Sequence, residues 1–241
     1  MPKPLHILAE PGSIAERVVV AGDPARVKQL AEMLEEPVLV NDNRGLLVYT
    51  GKYRDVPVTV ATHGIGAPSA TIVFEELAML GARIMVRLGT AGALRGDLDI
   101  GDLVVAAGAV YLCNGNSLGM YVPGYCYAAS PSPDVTMRLV EEAGRKGEEA
   151  LLAPVFSSDA FYAEDPEFAR RWAEKGVAAV EMECAGLFGL GWMRGFKTGA
   201  LLMISDSLVK GKEEMLTARE LAPVAETAGR IVLDTLASLT P

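Results

Sequence analysis

Residues 177–187, Val-Ala-Ala-Val-Glu-Met-Glu-Cys-Ala-Gly-Leu, place two carboxylates, Glu181 and Glu183, at the end of an apolar run. A carboxylate beside a core loses solvation unless something pairs with it, so an apolar strand ordinarily ends in turn chemistry instead. Two glutamates flanking Met182, followed at once by a helix-prone segment, read as a strand end that presents carboxylates to a ligand. One carboxylate can accept two hydrogen bonds from vicinal hydroxyls of a sugar, and a methionine can pack against the sugar's apolar face. Glu-x-Glu by itself describes a solvated strand end better than a site; its company reverses that reading.

A second set of residues suits an anion. Gly22-Asp23-Pro24-Ala25-Arg26 follows an apolar strand, and Arg87-Leu88-Gly89-Thr90-Ala91-Gly92 closes another; Arg44 stands in Asn43-Arg44-Gly45. Glycine lets backbone N–H groups come close to an anion, and guanidinium groups bind phosphate oxygens in pairs. Gly22, Arg26, Arg44, Arg87 and the Thr90 hydroxyl are therefore candidate phosphate ligands. A third set, Ile204-Ser205-Asp206-Ser207, again falls at a strand end, and Arg219 lies thirteen residues beyond Asp206. An isolated acid there also serves as a helix cap. Competing motifs fall short. Gly64-Ile65-Gly66-Ala67-Pro68-Ser69 lacks the last glycine of a dinucleotide loop, no Gly-Lys-Ser/Thr is present, and two histidines without His-Glu-x-x-His support no metal site.

These residues need elements to carry them. Strands are predicted at 17–21, 46–51, 56–62, 84–88, 103–112, 151–156, 177–183 and 198–205. Helices are predicted from Pro24 to about Glu35 and over 69–81, 132–146, 165–175, 184–194 and 217–236. Alternating apolar strands and helices argue for one three-layer α/β domain around a mixed sheet, and ligands of such folds sit beyond the carboxyl ends of strands. The least regular stretch, 113–131, reads as a surface loop near a site or interface.

Composition narrows the field. The chain has 241 residues, half of them hydrophobic, 25 glycines and a net charge of −9, with no basic run longer than two residues. That excludes the basic surface that nucleic acid binding needs. No stretch approaches the roughly 18 apolar residues of a spanning helix and no signal peptide is evident, so the expectation is a cytoplasmic protein that does not meet the membrane. Cys113, Cys126 and Cys184 fit no metal spacing; Cys113 and Cys126 are within reach across one loop, but free thiols are expected in that compartment.

Taken in order, Gly22-Asp23-Pro24-x-Arg26, Asn43-Arg44-Gly45, His63-Gly64-x-Gly66-x-Pro68-Ser69, Arg87-x-Gly89-Thr90-x-Gly92, Phe161-Tyr162, Glu181-Met182-Glu183 and Ser205-Asp206 resemble the bacterial hexameric purine nucleoside phosphorylases. The resemblance runs nearly end to end and implies one nucleoside phosphorylase domain over residues 1–241. It implies a phosphate site at Gly22, Arg26, Arg87 and Thr90, with Arg44 from a neighbouring subunit. It implies a ribose site at Met182 and Glu183, with His6 of the neighbour at the 5′-hydroxyl. The base would lie against Phe161, Val180, Glu181 and Ser205, with Asp206 as general acid at purine N7, assisted by Arg219. It further implies no cofactor, phosphate as co-substrate, and a homohexamer built as a trimer of dimers. Thr90 stands where serine is common, and loop 113–131 departs from the family pattern.

The implied reaction is reversible phosphorolysis of purine ribonucleosides to free base and ribose 1-phosphate. Uridine phosphorylases of the same superfamily read uracil with glutamine and arginine, and no Gln-x-Arg occurs in 157–175. Nucleosidases, including those acting on methylthioadenosine, use water and need no set of phosphate arginines; a methylthioadenosine phosphorylase remains an alternative. A non-catalytic nucleoside-binding protein would have no use for Asp206.

Overall fold

The computed structural model describes residues 3–163, 165, 167–210, 216–217 and 219–241. Its centre is a nine-stranded mixed sheet in the order β2-β3-β4-β1-β5-β8-β7-β6-β9, with β9 also paired to β5. The strands are β1 (Arg17–Ala21), β2 (Glu35–Asn41), β3 (Val48–Tyr53), β4 (Val56–Thr62), β5 (Ile84–Ala93), β6 (Leu103–Val110), β7 (Ala150–Ser157), β8 (Ala179–Glu181) and β9 (Lys197–Ser207). Strands β5, β8, β7, β6 and β9 close on themselves, while β1–β4 extend the sheet to one side.

The central strand shows how the sequence makes two cores. Along β5, Ile84, Val86 and Leu88 join the cluster formed with helices α1 (Pro24–Ala31), α4 (Pro133–Arg145) and α7 (Ala222–Ser238). Met85, Ala91 and Ala93 join the cluster on the other face, with α2 (Ala67–Met79) and α6 (Cys184–Arg194). Period-two alternation thus buries both faces of one strand. The predicted three-layer α/β architecture is the observed one. The remaining helices, α3 (Leu118–Tyr121) and α5 (Phe168–Ala173), are short.

The structure departs from the sequence reading most in three places. Helix α1 ends at Ala31, and the segment expected to finish it continues as edge strand β2, antiparallel to β3. Most of β2 is exposed, so no alternation marks it, and Pro37 is tolerated because edge strands have N–H groups to spare. Residues 89–92 are not a turn: β5 runs through them to Ala93, paired with β9 for its whole length. Finally, Cys113 and Cys126 form a disulfide, in place of the two free thiols expected; Cys184 is free and buried.

A buried carboxylate ties the periphery to the sheet. Asp234, toward the C-terminal end of α7, accepts from the Tyr53 hydroxyl at 2.9 Å and pairs with Arg54 at 2.9 Å and Lys146 at 2.6 Å. It joins the β3–β4 hairpin to the ends of α4 and α7. Truncation leaves a buried hydroxyl without its acceptor, so Asp234→Ala is expected to cost about 1–3 kcal/mol. A urea titration checks this, with activity per folded molecule unchanged because Asp234 is remote from the cavity described next.

Candidate active site

Strand ends converge on a cavity of about 710 Å³ lined by residues from almost every candidate segment. Gly22 and Arg26 come from the β1–α1 junction, Arg87 and Thr90 from β5, Val180–Glu183 from the end of β8, and Ser205 and Asp206 from β9; Phe161 lines it from the loop after β7. Asp23 caps α1, accepting from the Ala25 N–H at 2.8 Å, and this fixes the turn that delivers Arg26.

Arg87 is the hub. Strand β8 runs antiparallel to the end of β5, with Val180 opposite Gly92, so Glu181 and Glu183 run back toward Arg87. The guanidinium donates from Nη2 to Glu183 at 2.5 Å and from Nε to Glu181 at 3.4 Å, and all three side chains are buried. The space for it comes from Gly89, two residues along the same face. A Cβ there would lie 2.3 Å from Arg87 Nη1. Burial works against charge on Arg87, but Glu183 above all holds its pKa higher than usual, so it remains a cation. Nearby Arg26 is pushed down to about 10, by burial first and by Arg87 second. Two buried cations facing one cavity are a site poised for an anion.

The two glutamates have different jobs. Glu181 accepts from the Ser157 hydroxyl, from the backbone N–H groups of Glu183 at 2.7 Å and Cys184 at 2.9 Å, and from Arg87. One Glu181 oxygen takes three of these donors and the other takes Ser157, so the carboxylate braces the start of α6 while Glu181 also lines the cavity. Glu183 accepts from the Gly66 N–H at 2.6 Å besides Arg87 and retains acceptor capacity toward the cavity.

Asp206 is aimed by an irregularity. The β5–β9 register passes from Ala91 opposite Ile204 to Gly92 opposite Asp206, which leaves Ser205 as an extra residue on β9. Such a bulge re-aims the next side chain, and Gly92 clears the room: a Cβ there would meet Asp206 Oδ2 at 2.8 Å. Ser205, buried, donates its hydroxyl to Asp206 Oδ1 at 2.7 Å. Its role in the structure is thus to orient the acid.

Three candidates stand apart from the lining. Arg219 is exposed in the turn before α7. His6 and Arg44 lie together on another surface, where the Asn43 side chain donates to the His6 carbonyl at 2.9 Å. Loop 113–131 contributes no residue to the lining among the described residues. It docks behind the site through Asn116, whose side chain accepts from the Gly186 N–H at 2.8 Å and donates to the Met182 carbonyl at 3.2 Å.

Sequence reading overlooked Gly64, Ile65, Ser158, Leu208, Leu216, Thr217 and Leu221 in the lining, and His63 behind Arg87. His63 is fully buried with Nε2 3.5 Å from Arg87 Nη1. Burial, then the charges of Arg87 and Arg26, push its pKa well below 6.5, so the ring is neutral and offers Arg87 an acceptor. The signal is His63-Gly64-x-Gly66-x-Pro68-Ser69 after a strand, which carries part of the family resemblance but assigns no role to His63 or Gly64.

Two buried arginines, the buried Glu183 carboxylate and the bulge-aimed Asp206 thus meet in one cavity. Residues 16–238 match the phosphorylase superfamily, and the chain belongs to that family. A guanosine phosphorylase of Halorubrum lacusprofundi is 34% identical over 99% of this chain and 100% of its own length. A purine nucleoside phosphorylase, DeoD-type, of Hahella chejuensis is 39% identical over 86% of this chain and 88% of its own. Among solved structures, a purine nucleoside phosphorylase from Toxoplasma gondii in complex with immucillin-H superposes with a TM-score of 0.89 at 29% identity, covering 98% of this chain and 96% of that one. A uridine phosphorylase from Vibrio fischeri gives 0.87 at 27%, covering 98% and 97%.

The spatial reading of the glycines yields a test. Gly92→Ala places a methyl group against Leu208 and Asp206, and is expected to lower turnover by at least about tenfold while the urea midpoint shifts little. Unchanged turnover would show that Asp206 is not aimed by the gap at residue 92.

Proposed function

We propose that this protein is a purine nucleoside phosphorylase, converting purine ribonucleosides and phosphate reversibly to free base and ribose 1-phosphate. The observation that carries this reading is the convergence of Arg26 and Arg87, Glu183 and Asp206 on one cavity. Arg26, Arg87 and Thr90, with the backbone at Gly22, hold phosphate beneath the anomeric carbon. Glu183 takes the 2′- and 3′-hydroxyls and Met182 packs on the sugar. Phe161 and Val180 bracket the base. Bond breaking gives an oxocarbenium-like sugar, which the phosphate dianion stabilises, and a base that gathers negative charge. Asp206, protonated once substrate is bound, relieves that charge by giving its proton to N7, a step worth about 10²–10⁴-fold. Arg219 assists only by moving toward Asp206 when ligands bind. No cofactor enters the scheme, and the whole chain works as one domain.

Charge balance supports a shared site. Within one chain Arg87 is paired with both Glu181 and Glu183, which leaves chiefly Arg26 to meet a phosphate dianion, so a further cation is called for. Arg44, exposed and held beside His6, supplies it when that surface covers a neighbour's cavity. The assembly we propose is a dimer with two shared sites, repeated as a hexamer, in the cytoplasm. Disulfides such as Cys113–Cys126 are uncommon in that compartment outside hyperthermophiles.

The decisive assay is release of base from inosine, adenosine and uridine with and without phosphate. Purine released only with phosphate is expected, uridine poor, and Asp206→Asn hurting adenosine more than inosine, because hypoxanthine spreads leaving charge onto its 6-oxo group. Release that is equal without phosphate marks a hydrolase, and none marks a binding protein. Sharing is checked by mixing His6→Ala with Asp206→Asn subunits. Random exchange into dimers should restore roughly a quarter of wild-type sites, and no recovery after confirmed exchange refutes a shared site.

A further inference from the structure

The N-terminal segment that carries His6 is held by a single buried carboxylate. Glu76, in the second half of α2, accepts from the N–H groups of Leu5 at 3.0 Å, His6 at 2.9 Å and Ile7 at 2.6 Å, and faces His6 Nδ1 at 2.7 Å. Ile7 is fully buried, the Leu8 N–H donates to Asn41 at 2.8 Å, and Asn43 holds the His6 carbonyl. The backbone is therefore fixed on both sides of the imidazole, whose side chain remains 30% exposed.

Burial alone would raise the Glu76 carboxyl, but the donors from Ile7, His6 and Leu5 outweigh it and hold its pKa below the usual range. An ionised carboxylate only accepts, so the ring atom facing it must carry a proton. In the neutral imidazole that leaves the lone pair on Nε2, the exposed end.

We infer that Glu76 is the positioning residue for His6: by taking the Nδ1 proton it fixes the tautomer in which Nε2 accepts from a nucleoside's 5′-hydroxyl. The inference rests on the shared-site reading above, and it makes the 5′ position a point of discrimination. A nucleoside with a donor at C5′ satisfies Nε2, whereas one without it leaves a lone pair facing the cavity unpaired. Glu76 holds residues 5–7, so its effect is expected at the 5′ end.

The test compares kcat/KM for inosine and 5′-deoxyinosine in wild type, His6→Ala, Glu76→Ala and the double variant, with solid-state 15N spectra of histidine-labelled protein. The chain has only two histidines, and His6→Ala assigns them. We expect His6 to show a protonated Nδ1 and a bare Nε2. The inosine preference should fall about three- to tenfold in either single variant and no further in the double, with 5′-deoxyinosine turnover retained as the control for folding. If Glu76→Ala does not fold, Glu76→Gln replaces it, because its amide N–H₂ facing the ring should invert the tautomer. An equal loss with both substrates in Glu76→Ala, an Nε2–H tautomer in wild type, or an uninverted ring in Glu76→Gln overturns the inference while His6→Ala still shows the effect. An inosine preference that survives His6→Ala overturns the shared-site reading and the inference with it.

Discussion

The structure around the cavity depends on one buried cation. Arg87 sits on the face of β5 turned toward α2 and α6, where an unpaired guanidinium would be costly. The chain meets that cost with Glu183 at 2.5 Å, Glu181 at 3.4 Å and a neutral His63 at 3.5 Å. Those partners fix the local architecture. They require β8 to run antiparallel to the end of β5, and α6 to start where Glu181 can receive its first N–H groups. They also bring the Gly66 loop onto Glu183. The phosphate-side and sugar-side residues are thereby parts of one ionic network, and removing Arg87 strands two buried carboxylates. A substitution there disturbs fold and ligand binding together, which makes it a poor probe of either alone.

The same network explains why the glycines of the Arg87-x-Gly89-Thr90-x-Gly92 segment stand where they do. Read as sequence, they look like bare backbone for an anion. In the structure each vacates space for neighbouring side chains: Gly89 for the Arg87 guanidinium, Gly92 for Leu208 and the Asp206 carboxylate. A strand interior disfavours glycine, since it adds backbone entropy and packs nothing. Two in one central strand are tolerated because the volume they leave is filled by these side chains.

That substitution of meaning marks the limit of what could be read in advance. Residue types and order exposed Gly22, Arg26, Arg87, Met182, Glu183 and Asp206, because strand ends that carry charge are chemically conspicuous. The three-layer architecture followed from β/α alternation. Edge strand β2 was invisible because solvent on both faces erases period-two patterning. The continuation of β5 was masked by Gly-Thr-Ala-Gly, whose turn-like composition has a steric cause that lies on other strands. Glu181 could not be told from Glu183, since only the partners of each oxygen separate a brace from a ligand. Glu76 was silent for the same reason: a glutamate in α2 looks like any helix-surface acid until the N-terminal segment is laid across it.

The scaffold leaves the choice of base almost undetermined. A uridine phosphorylase structure superposes nearly as well as a purine enzyme does, with TM-scores of 0.87 and 0.89, so the overall fold is not what separates the two. What remains is the geometry at the end of β9. The extra residue at Ser205 turns Asp206 toward the cavity, the Ser205 hydroxyl orients it, and Gly92 makes room for it. Under the proposed reaction a leaving purine offers Asp206 a transfer partner, because N7 gains basicity as the glycosidic bond breaks. The uracil ring has no counterpart of N7, so the same acid gives it no transfer partner. On the proposed reading, preference for purines rests on the bulge at Ser205 that aims Asp206, on a fold common to both kinds of structural neighbour.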